Sequence, residues 1–187
     1  MVFKRLFRPK PQEEAAWLLY ENVVQQARRT ELFRDLGIPD SVDGRFESIV
    51  LHLVLVLRRL RADFPEGEDV AAALQEVFIA DMDRSLREMG AGDLGVGRRV
   101  QQMAEGFMGR LASYEAALEE IAGGGGENGL RAALLRNVYG TLPEEAVDPA
   151  GLLGYVRAQV QALEAQEGSG LRAGKPEFAP FQGPSDV

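Results

Sequence analysis

Apolar positions recur along this chain at spacings of three and four, the period of a helix with one buried face. Trp17, Tyr20, Val24 and Ala27 mark a first helix over about 12–29. Thr30 can cap a short continuation, stopped by Gly37 and Pro39. A second helix is expected from Asp43 or Gly44 to about Arg61, capped by Ser41 or Asp43, with Arg58, Arg59 and Arg61 in its last turn. Its centre, IVLHLVLVL, is apolar on all sides, which suits a central helix surrounded by others. A third runs over about 67–89, with Val70, Leu74, Val77, Phe78, Met82, Leu86 and Met89 as its stripe and Gly90 as its stop.

The fourth stripe is the longest: Val96, Val100, Met103, Phe107, Leu111, Tyr114, Leu118 and Ile121, on a helix that Asp93 can cap. Gly123 to Gly126 interrupt it. Asn128 can start a fifth helix through Leu130, Leu134 and Val138. Asp148 followed by Pro149 reads as a cap and a first helical position, opening a sixth along Leu152, Val156, Val160 and Leu163. Residues 167–187 have four glycines, three prolines and no periodicity, and read as a disordered tail. No run alternates with the period of a half-buried strand. The expectation is all-α: a single-domain bundle of about six helices over 12–166, with a flexible C-terminal tail and a basic segment, 1–11, in front.

Composition narrows the chemistry. The chain has 187 residues and no cysteine, which excludes disulfides and thiolate chemistry. A single histidine argues against a multi-histidine metal site. The net charge of −8 argues against DNA as a bulk electrostatic partner. The longest apolar run, 49–57, falls short of the roughly 20 residues that span a bilayer, and there is no secretory signal pattern, so a cytoplasmic location is expected.

The first eleven residues carry Lys4, Arg5, Arg8 and Lys10 and no acid, against a body of −12. Phe3, Leu6 and Phe7 lie between these cations. Two readings stand: a solvated end, or a foot on an anionic membrane made by Phe3, Lys4, Arg5, Phe7 and Arg8.

Three features could carry chemistry. Gly90-Ala-Gly-Asp-Leu-Gly95 has the spacing of a dinucleotide loop, but a helix precedes it where that loop needs a strand. Asp83 with Arg87 and Arg84 with Glu88 make surface pairs at four-residue spacing. Asp81 sits towards the apolar side and needs a partner, for which Arg45, Arg98 and Arg99 are candidates; an ion pair fixing the helix corner is favoured over a catalytic role. His52, inside the most apolar helix, reads first as a core histidine bonded to one neighbour and second as a ligand. No converging catalytic set, cofactor site or metal site is evident.

Taken together, DGRFESIVLHLVLVLRRL at 43–60, DMDRSLREMGAGDLGVGRRV at 81–100 and QQMAEGFMGRLASYEAAL at 101–118 resemble the ubiquinol–cytochrome c chaperone family. The resemblance covers about 12–165. It is carried by Asp43, Gly44, Arg45 and Phe46, by His52, by Asp81 and Asp83, by Arg87 and Glu88 up to Gly90, and by Asp93 with Leu94. It implies a helical, non-enzymatic assembly factor without cofactors that binds cytochrome b during biogenesis of respiratory complex III. It further implies contact with a ribosome or a small partner protein, and work peripheral to the inner membrane. On that resemblance the candidate partner-binding residues are Asp43, Arg45, Phe46, His52, Asp81, Asp83, Arg87, Glu88, Asp93 and Arg98. A second expectation, from another class, is a small-molecule binder or enzyme with a pocket around His52, Asp81 and Arg45.

Overall fold

The computed structural model describes residues 10–88, 93–143 and 146–181, with the backbone alone over 93–96. Among these, the chain forms eight α-helices: α1 (Pro11–Ala27), α2 (Thr30–Arg34), α3 (Val42–Ala62), α4 (Glu68–Glu88), α5 (Asp93–Ala122), α6 (Asn128–Asn137), α7 (Ala150–Ala165) and α8 (Gly168–Arg172). Six periodic stripes therefore become eight helices. The two extra ones, α2 and α8, are five residues each, too short for a periodic stripe to show.

α3 is the axis of the fold. It touches α1, α4, α5, α7 and α8, and every residue from Glu47 to Leu57 is buried. The all-round apolar centre, IVLHLVLVL, thus lies in the middle of the bundle. The Ser41 hydroxyl caps α3 by accepting from the Gly44 N–H at 3.1 Å. Gly44 also faces the turn before the helix, and a Cβ there would collide with the Pro39 carbonyl oxygen. At the other end Arg59 donates to the Leu163 and Gln166 carbonyls, at 3.0 and 3.1 Å. It caps the C-terminus of α7 rather than serving its own helix alone.

Other caps differ from expectation. Arg29, not Thr30, precedes α2, and Thr30 lies inside it. α7 begins one residue later than expected, at Ala150, yet Asp148 still caps it, Oδ1 accepting from the Ala150 N–H at 3.0 Å. Gly90 lies outside the described residues, as does the side chain of Asp93.

The expected disordered tail is corrected over 167–181. α8 forms there, its Leu171 is fully buried, and Phe178 and Phe181 pack against the core. The glycines and prolines that remove helical periodicity do not remove apolar anchors. Residues 182–187 lie outside the described residues, as does most of the basic segment 1–11. No helix of the described residues is long and apolar enough to cross a membrane.

Candidate functional site

His52 is fully buried and both ring nitrogens are engaged. Nδ1 lies 2.7 Å from the Ser48 carbonyl oxygen and Nε2 lies 2.7 Å from the Tyr155 hydroxyl. A carbonyl only accepts, so Nδ1 carries the proton and Nε2 accepts from Tyr155. The Tyr155 oxygen accepts in turn from Gln26 Nε2 at 2.8 Å. Ser48 extends the chain by donating to the Ala27 carbonyl at 2.8 Å. The side chains of Gln26, Tyr155 and His52, with the carbonyl and hydroxyl of Ser48, thus tie α1, α3 and α7 together. Burial lowers the His52 pKa to about 4 and raises that of Tyr155 to about 12, so both are neutral at pH 7. His52 is a core histidine, with two side-on partners rather than the single one expected.

Asp81 is half-buried and has a partner, but none of the three expected arginines. It accepts from the Tyr20 hydroxyl of α1 at 2.8 Å and pairs with Arg84 one turn along α4. Burial first, then the hydrogen bond to Asp81, pushes the Tyr20 hydroxyl well above the ordinary tyrosine range. Arg84 is therefore committed to Asp81 rather than to Glu88. Arg45 is exposed and paired with Asp40 at 2.7 Å. Asp83 and Arg87 form the expected surface pair, Arg87 Nε donating to Asp83 Oδ2 at 2.8 Å. The hydrogen bond from Arg87 is the main cause that holds the Asp83 carboxyl below its usual range.

The buried ion pair of this protein is one the sequence reading did not single out. Glu47 is buried on α3, and Arg110 of α5 donates to it from Nε at 2.8 and 2.9 Å, with Nη2 making a further bond. The hydrogen bond to Glu47 raises the Arg110 pKa. The same guanidinium lies 5.7 Å from the centre of the Phe46 ring. Phe46 stacks on Phe78, which also meets Tyr20 and Phe107. Phe78 is therefore the apolar hub of α1, α3, α4 and α5. The signal that was available is position: an acid inside a helix apolar on every side has nowhere exposed to point.

The candidate residues divide into two sets. Phe46, His52 and Asp81 hold helices to one another. Asp43, Arg45, Arg87, Glu88 and Arg98 are exposed, with Asp83 half-exposed beside them. His52, Asp81 and Arg45 share no partner: the first bonds α7, the second α1 and the third the turn before α3. The pocket expected around them does not form. Two clefts of the described surface take in Arg45 at most, and neither His52 nor Asp81. One of about 320 Å³ is lined by Arg28, Thr30, Phe33, Asp40 and Arg45, and one of about 390 Å³ lies between α6 and the loop carrying Leu142 and Val147. Among the described residues, no group of three His, Cys, Asp or Glu side chains is placed to hold a metal ion. Residues on either side of the glycine corner are helical, α4 to Glu88 and α5 from Asp93, so no strand enters it. Phe3, Lys4, Arg5, Phe7 and Arg8 lie outside the described residues.

Comparison with known proteins agrees with this architecture. The chain is 32% identical to the Cbp3 homolog from Brucella abortus, whose crystal structure superposes with a TM-score of 0.78 over 91% of each chain. It is 24% identical over 157 residues to the ubiquinol-cytochrome c reductase complex assembly factor 1 of Mus musculus, covering 84% of this chain and 52% of that one. The Drosophila melanogaster counterpart is 26% identical over 153 residues, covering 79% and 57%. The chain thus spans about half the length of these curated relatives. The family model described as ubiquinol-cytochrome C chaperone matches residues 34–178, from the end of α2 to the aromatic segment after α8, and the chain belongs to that family.

Proposed function

We propose that this chain is a non-enzymatic chaperone for assembly of the ubiquinol–cytochrome c reductase, and that its client is cytochrome b. The observation that carries this reading is the family match over 34–178. The fate of the polar groups supports it. The polar side chains inside the bundle are engaged within and between its helices: His52 with the Ser48 carbonyl and Tyr155, Asp81 with Tyr20 and Arg84, and Glu47 with Arg110. A partner would meet the exposed side chains, several of them already in surface pairs. Asp43 and Arg45 at the start of α3, and Asp83, Arg87, Glu88 and Arg98 about the α4–α5 corner, are the proposed contact residues.

The reading places the protein on the cytoplasmic side of the inner membrane, with the cationic 1–11 segment as its membrane contact and a ribosome or small partner protein as a further contact. Deletion of the gene should remove assembled complex III and haem-containing cytochrome b, and a tagged chain should co-purify with cytochrome b from membranes. Normal complex III in the deletion strain would refute the proposal.

A further inference from the structure

Residues 175–181 form no helix and lie along α7. Their backbone is met by side-chain amides. Gln166 Oε1 accepts from the Glu177 N–H at 3.1 Å. Gln159 Oε1 accepts from the Ala179 N–H at 2.8 Å, and Gln159 Nε2 donates to the Ala179 carbonyl at 3.2 Å. Gln159 lies within α7 and Gln166 is the first residue past its end, in extended backbone, so the two amides meet the segment at the middle and at the terminus of the helix. The two residues they hold are two apart, the interval at which an extended chain presents the same side. Between these clasps Phe178 meets the His52 ring edge-on at 6.0 Å, and Phe181 lies 6.3 Å from Tyr155.

An amide that both accepts from and donates to a peptide group is indifferent to the side chain that group carries. Main-chain bonds of this kind supply sequence-tolerant affinity, and the ring contacts supply the preference. Pro176 and Pro180 favour an extended backbone and give no N–H that would need a partner. Phe178 and Phe181 are half-buried rather than sealed in.

We propose that the surface formed by Gln159 of α7 and Gln166 just past its C-terminus, with His52 and Tyr155 as its floor, is a groove for an extended, aromatic-bearing client segment, and that residues 175–181 occupy it until the client displaces them. This rests on the chaperone reading above and names the recognition element it requires. A membrane subunit not yet inserted exposes segments of this apolar, aromatic chemistry.

The test uses the full chain and a fluorescein-labelled peptide of sequence KPEFAPF, read by anisotropy. In the intact protein the groove is filled, and the peptide binds weakly. Phe178→Ala with Phe181→Ala loosens the internal segment and should tighten peptide binding about tenfold, because an occupied site lowers apparent affinity by its vacant fraction. Adding Gln166→Ala or Gln159→Ala should reverse the gain, and the peptide KPEAAPA should not bind. Equal peptide affinity in the intact and loosened proteins, with cooperative unfolding retained, overturns the proposal. A gain that survives both glutamine substitutions overturns it as well. Either result leaves the complex III deletion experiment untouched, so the groove can fail while the chaperone function stands.

Discussion

The Tyr155 hydroxyl donates to His52 Nε2 at 2.7 Å across 103 residues of sequence, and so joins α7 to the central helix through a neutral imidazole. Tyr155, Ser48, Gln26 and Phe178 surround the ring, and no carboxylate among them would welcome a second proton. With the folded pKa lowered to about 4 against 6.5 for the free side chain, the unfolded chain binds the proton first. Stability is therefore full above pH 6.5, falls as the pH drops from 6.5 towards 4, and levels off below. The full effect is about 3 kcal/mol, of which about 2 is lost by pH 5. Because the chain has one histidine, the difference between the intact protein and His52→Gln in urea unfolding at pH 7 and pH 5 separates this effect from that of the carboxylates. His52→Gln should flatten the slope between those values; an unchanged slope would remove His52 as its source.

Glu47 and Arg110 should behave as a pair. Arg110→Leu leaves a buried carboxylate without its cation and should cost about 3 kcal/mol. Glu47→Leu combined with Arg110→Leu removes both charges and should recover most of that loss, giving a strongly non-additive double-mutant cycle in denaturant unfolding. Additive losses would mean that the two side chains are not coupled.

Asp81 and Tyr20 make a weaker version of the same argument, because Asp81 keeps Arg84. Tyr20→Phe removes one hydrogen bond and should cost about 1 kcal/mol. Asp81→Ala should cost somewhat more, since it also strands the Tyr20 hydroxyl. An Asp81→Ala protein of full thermal stability would show that the corner does not depend on this contact.

Two glycines should respond in opposite senses to the same substitution. Gly44→Ala drives a methyl into the Pro39 carbonyl and should destabilise by about 2 kcal/mol, the range of overpacked sites. Gly109, on the exposed face of α5, has open space around it. Gly109→Ala there should stabilise by about 0.5–1 kcal/mol through the helix preference of alanine. Thermal unfolding of the two variants checks both signs.

The helical stripes were legible where they record a buried face, though Trp17 at the head of the first is exposed and Val100 and Met103 of the fourth are only partly covered. Val70, Leu74 and Phe78 on α4, and Phe107, Leu111 and Tyr114 on α5, are buried as their spacing requires. The partners of polar groups were not legible in the same way. Asp81 bonds Tyr20 across 61 residues, a contact set by how α1 lies on α4 and not by local spacing. Glu47 escaped notice because its partner comes from another helix, 63 residues on. The segment after α8 carries no helical period since it is extended, and the glutamines that hold it sit on α7 and just past its end, up to 20 residues upstream. The resemblance to the chaperone family named the right family, but it did not separate His52 and Phe46, which hold the fold, from Arg45 and Arg98, which face outward.

α5 is 30 residues long, about 45 Å, yet none of its residues 97–106 is buried, and from Arg98 onward the first buried side chain is that of Phe107. Its second half is held by the Phe107–Phe78 contact and the Arg110–Glu47 pair, while Met103 rests partly covered on the same core. The exposed turn at Arg98 therefore belongs to the same rigid rod as the Phe78 hub, and a partner bound there is mechanically continuous with the middle of the molecule.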